Sequence, residues 1–112
     1  MNTTEFYNRY FEENTRFFWP EVKRCSHPAV MAGAIRHKIM SMAGMIKVTL
    51  GKEALGHWAW QFSILASELE HLHTKEMAHK EIERFRECAR NGREYNRPKE
   101  DQTKVFNSAA WS

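Results

Sequence analysis

Leu55, Trp58, Phe62, Leu65, Leu69 and Leu72 step along the chain by 3, 4, 3, 4 and 3 residues, and no other feature restricts the fold so tightly. This is the a/d spacing of a heptad seam. It predicts a helix that must lay one apolar face against other helices, because a strand would alternate with period two. Trp60 and Ile64 fall on the opposite flank, four residues apart and so stacked on each other. A helix that is apolar on two sides either stands at the centre of its bundle or touches a further partner.

Beyond Leu72 the seam fails at Glu76 and His79, and Ala78, Ile82, Phe85 and Ala89 restart it in a shifted phase. A straight helix from Lys52 to Asn91 would measure about 60 Å at about 1.5 Å per residue. A globule of this chain length is only roughly 35 Å across. Thr74 has the chemistry to cap a new helix, but no Gly or Pro marks a sharp turn there. The expectation is therefore one long, phase-shifted helix that overhangs the body and pairs with a second copy of the chain.

Two earlier helices are legible. Asn2 followed by Glu5 resembles a capping box, after which Phe6, Tyr7, Tyr10, Phe11, Phe17 and Phe18 recur near helical spacing. Pro20 is expected to end or kink this helix, with Trp19 at the corner. Ser26 before His27 and Pro28 marks a second start. The helix that follows is rich in Ala, Gly and Met on nearly all sides, and its methionines read as core filler. Gly51 ends it. The fold class is thus all-α: a bundle of about three main helices in a single domain over residues 1–92. A polar, mobile tail follows over 93–112, apolar again at Val105, Phe106 and Trp111.

Composition agrees with a folded single domain. The chain has 112 residues and 13.3 kDa, with seven Phe, four Trp and three Tyr to anchor a core. Acids in the first turn argue against a secretory leader, and AVMAGAI is too short to span a bilayer. Cys25 and Cys88 lie far apart outside any CxxC, so reduced thiols and a cytoplasmic location are expected. The net charge is +3, unevenly placed: Val22–Lys52 contains six basic residues and no acid. Such a stretch suits an acidic partner.

The densest group of metal-ligating residue types is ELEHLHTKEMAHKE, Glu68 to Glu81. His71 and His73 point about 200° apart on a helix and cannot share an ion. Glu70 with His73 and Glu76 with His79 each form a Glu-x-x-His pair of the kind di-iron bundles use, but there one pair sits on each of two helices. Here both share one helix and spiral away from each other. A solvated, ion-paired face explains the stretch better, and no cofactor is expected.

Arg86, Arg90, Arg93 and Arg97 recur at 4, 3 and 4, a stripe that could track a phosphate backbone if the helix continued past Gly92. Glu87 and Glu94 interleave with it, which weakens that reading. KVTLGKEALGHW resembles a helix-turn-helix only in its turn glycine, since Ala54, Gly56, Ala59, Trp60 and Ile64 cannot read base edges. No nucleophile elbow, phosphate loop or activated thiol is present. The expectation is a non-enzymatic accessory or regulatory protein that binds a protein partner, as a homodimer. Trp58, Trp60, Ile64 and Trp111 are its anchors, because buried aromatic side chains dominate binding energy. Nucleic-acid contact through the Arg stripe is the alternative, and metal binding through Glu70, His73, Glu76 and His79 a second.

Overall fold

The computed structural model describes residues 3–95, and every regular element among them is an α-helix. These are α1 (Thr3–Thr15), α2 (Trp19–Lys23), α3 (Pro28–Leu50), α4 (Lys52–Glu70) and α5 (Lys75–Arg90). The all-α class holds, with five helices where three main ones were expected.

The extra breaks have local causes. Asn2, the expected first cap, lies outside the described residues. α1 stops at Thr15, before Phe17 and Phe18. The Thr15 hydroxyl donates to the Phe11 carbonyl at 2.6 Å and accepts the Trp19 indole N–H at 3.2 Å. Pro20 then sits in the first turn of α2, so it opens a short helix where it was expected to end one. His27, not Ser26, caps α3: its Nδ1 accepts the Ala29 N–H at 3.1 Å, ahead of Pro28.

Gly51 alone joins α3 to α4. At φ +98° and ψ 173° it occupies backbone space that is essentially glycine's own. Its N–H closes α3 on the carbonyls of Ile46 and Lys47, and α4 starts at the next residue. α4 folds back along α3, so that Arg36 near the start of α3 pairs with Glu70 at the end of α4.

The expected helix from Lys52 to Asn91 does not form. α4 ends at Glu70, and the chain turns through His71–Thr74. Thr74 adopts an extended conformation and its Oγ1 accepts the Met77 N–H at 3.2 Å, capping α5. The shifted phase after Leu72 explains the break. By folding back, α5 brings Ala78, Ile82 and Phe85 onto the same core as Phe62, Leu65 and Leu69. The longest dimension is 39 Å, so the length argument for a second copy disappears.

The core has two connected parts. The larger joins α2, α3, α4 and α5 around Trp19, Met31, Ile35, Phe62, Leu65, Leu69, Ile82 and Phe85. The smaller, toward the Gly51 turn, gathers Phe11, Met42, Ile46, Ala54 and Trp58. At the other end, Gly92 (φ +68°) closes α5, with the Arg93 N–H on the Cys88 carbonyl at 2.8 Å. Of the described residues of the expected mobile tail, Arg93 and Glu94 are exposed and Tyr95 is buried against Phe85, at a ring separation of 5.1 Å. No helix among the described residues is long and apolar enough to cross a membrane.

Candidate functional site

The Glu-x-x-His pairs are pulled apart by the break at His71–Thr74. Glu70 ends α4 in an ion pair with Arg36, whose hydrogen bond holds the Glu70 carboxyl below its ordinary range. His73 lies in the turn, Glu76 is exposed in the first turn of α5, and His79 Nε2 lies 3.1 Å from the Lys23 carbonyl. Among the described residues no three His, Cys, Asp or Glu side chains gather as a ligand set.

The Arg stripe does not form either, because α5 ends at Arg90 and Gly92 turns the chain. Arg86 makes a two-pronged contact to Glu12 of α1, Nε and Nη2 lying 3.0 and 2.7 Å from Oε1. Arg90 reaches the same oxygen at 3.2 Å. Glu83, hydrogen-bonded by Lys23 and so held below the usual carboxylate range, completes the cluster. These arginines therefore tie α5 to α1. Arg93 lies beyond the helix, and Arg97 outside the described residues. An open depression of about 350 Å³ is lined by Glu12 and Arg90 of this cluster together with Arg9 and Glu13.

Interior polar groups are also engaged with each other. Asn8 gives its amide N–H to the Arg93 carbonyl at 2.8 Å, leaving Oδ1 to accept from His57 Nε2 at 2.8 Å. Burial holds the His57 ring below its ordinary pKa, against a smaller opposing pull from Glu94. Gln61 accepts the Tyr95 N–H at 2.8 Å, and the Tyr95 hydroxyl donates to Glu81, itself clamped by Arg84 at 2.6 and 3.0 Å. Burial first, then the Glu81 carboxylate, pushes the Tyr95 phenol well above its usual range. These contacts latch the chain after α5 onto α4 and α5.

The expected partner anchors separate. Trp58 is wholly buried beside Phe11 and cannot meet a partner, because the seam it belongs to faces the core. Ile64 is half-buried against the larger core cluster. Trp60 alone stays outward, 65% exposed. Trp111 lies outside the described residues.

A larger outward surface runs along α3. Val30, Gly33, His37, Met40, Gly44 and Val48 follow helical spacing and all are exposed, Met40 at 74% and Val48 at 87%. The buried face of the same helix carries Met31, Ile35, Met42 and Ile46. The methionines thus divide between the two faces, which corrects their reading as core filler. A methyl group added at Gly33, Gly44 or Gly56 would meet nothing within 4 Å among the described residues. On α4, which lies alongside α3, Gly56 and Trp60 are exposed as well. The α3 half was hidden in the sequence because small residues occupy nearly every side of that helix. Its signal was the recurrence of Val30, Met40 and Val48 in a stretch without acids.

The chain matches no family model, no curated protein and no solved structure.

Proposed function

We propose that the protein acts by binding a macromolecular partner, a protein in the first instance, and does no chemistry of its own. Its docking surface is the outward face of the α3–α4 hairpin, from Val30 to Val48 on one helix and around Trp60 on the other. One observation carries this reading: Met40, Val48 and Trp60 stand in water although the chain has a well-filled core to bury them in. Single exposed apolar residues are ordinary, and it is the occurrence of several large ones on this hairpin that points to an interaction site. The two helices offer a face of roughly 35 by 20 Å, about 700 Å², close to the ~800 Å² per partner of a standard interface.

A photo-crosslinking residue placed singly at Met40, Trp60 and Glu87 tests this in the cells that make the protein. Glu87 lies exposed on α5, outside the hairpin. Discrete adducts are expected from Met40 and Trp60 and none from Glu87. Equal labelling at all three positions, or labelling at none, overturns the reading.

A further inference from the structure

We infer that α1 is an acid-released lid, which closes over the Trp58 end of the core while the His57 ring is neutral and lifts when that ring takes up a proton. The surroundings of His57, half-buried on α4, carry the inference. Its ring packs on Tyr7 and Phe11, at separations of 5.7 and 5.8 Å, and its Nε2 lies 2.8 Å from Asn8 Oδ1. All three partners belong to α1, so α1 is the helix that shelters the ring from water. The Asn8 amide N–H is already given to the Arg93 carbonyl, so its oxygen faces His57 and can only accept. Nε2 therefore carries the ring's hydrogen, and a second proton has to enter at Nδ1. The bond to Asn8 survives that step. What the closed lid then withholds is the hydration of a charged ring.

α1 is lightly anchored. Among its described residues Phe11 is the one large apolar side chain that is fully buried. Its further ties are polar, from Asn8 to Arg93 and from Glu12 to Arg86 and Arg90. Elements with few buried apolar contacts open at a lower free energy than the whole domain. Beneath Phe11 lies Trp58, whose indole N–H has no partner among the described residues and regains water when α1 lifts. None of these residues belongs to the outward hairpin face. Tyr7 is the titratable group that faces the ring from α1, Glu94 acts on it from the segment after α5, and Glu53 stands one turn earlier on α4. Burial under the lid is the larger influence and holds the ring below its ordinary pKa of 6.5, against a smaller opposing pull from Glu94. The neutral ring's share in closure is therefore complete above pH 6.5 and is lost as the pH falls toward the closed-lid value.

Hydrogen exchange of the full chain, read by mass spectrometry at about pH 7.5 and about pH 5.5 and corrected for the intrinsic rate, tests the lid. Peptides from α1 are expected to lose protection at least roughly threefold at the lower pH, while those from α3 and α4 keep theirs. His57→Gln retains a donor toward Asn8 but cannot take the charge, so protection of α1 in that variant should not change with pH. Equal protection of α1 at both pH values overturns the inference. So does a loss of protection in all helices together, or a pH dependence that persists in His57→Gln. The converse is read on the native His57. Glu12→Lys sets a cation against Arg86 and Arg90 and should free α1, so the NMR titration midpoint of the ring should rise toward 6.5. A midpoint that stays where it is in wild type overturns the lid as well.

Discussion

Trp19 and Trp58 are both wholly buried, yet they differ in one hydrogen bond. Trp19 donates its indole N–H to Thr15 at 3.2 Å, whereas the Trp58 N–H has no hydrogen-bond partner among the described residues. A buried donor without a partner carries its full desolvation cost. Replacing Trp58 by Phe removes that cost along with some packing, while Trp19→Phe removes a satisfied bond. Trp19→Phe is therefore expected to destabilise by about 1 kcal/mol more than Trp58→Phe, read from urea denaturation. His57 adds a pH dependence. Its folded pKa is below the unfolded value of 6.5, so between the two the unfolded chain holds more protons. The neutral ring's contribution to stability is complete above pH 6.5 and lost as pH falls toward the folded value. The urea midpoint should drop between about pH 7.5 and 5.5, and His57→Gln should flatten that drop. An unchanged slope in the variant would place the titration elsewhere. Neither effect was legible in the sequence, in which Glu68 opens a stretch expected to be solvated and nothing marks Asn8 or Gln61 for the interior. All three are buried, and what makes that tolerable is a set of partners distant in sequence, such as Arg93 for Asn8 and Tyr95 for Gln61.

The elements themselves were partly legible. The start of α4 at Lys52, the end of α3 at Gly51 and the direction faced by Trp58, Phe62, Leu65 and Leu69 follow from spacing and from one glycine. The break between α4 and α5 did not, because turns are usually announced by Gly or Pro and here the local signals are only the phase shift after Leu72 and the Thr74 cap. A cap contributes about 1 kcal/mol, too little by itself to decide between a phase-shifted long helix and two shorter ones. Packing of Ile82 and Phe85 onto the α4 seam decides the matter, and that is a tertiary term. The glycines divide in the same way, by backbone and by neighbours. Gly51→Ala would force a Cβ into the conformation at φ +98°, a strain of about 1–3 kcal/mol. Gly33→Ala and Gly44→Ala act in the opposite direction. Both sit inside α3 at ordinary helical φ with open space around them, so each should stabilise by up to about 1 kcal/mol. Thermal melts of the three variants should bracket the wild type, Gly51→Ala below it and the other two above.

For the molecule as a whole, Phe62 is where the parts of the core meet. Its ring lies 6.4 Å from that of Phe11 and 6.1 Å from that of Trp58 in the smaller cluster. It lies 5.9 Å from Trp19 and 5.6 Å from Phe85 in the larger one. α1, α2, α4 and α5 therefore all touch one side chain, and each ring-to-ring separation falls in the range where aromatic pairs attract. Truncating a buried Phe to Ala costs about 3–5 kcal/mol, against a total of roughly 5–15 kcal/mol for a domain of this kind. Phe62→Ala should thus lower the melting temperature by roughly 15–30 °C, at about 4–8 °C per kcal/mol, and broaden the transition as the two clusters lose their common member. Trp60 is larger, equally aromatic and only two residues away, but it faces water on the other side of the same helix. Trp60→Ala should therefore stay within about 0.5 kcal/mol of wild type, while removing part of the outward hairpin face. A comparable loss in both variants would mean that the hairpin face is covered from within the chain. A large loss at Phe62 with none at Trp60 separates what holds this fold together from what it presents to others.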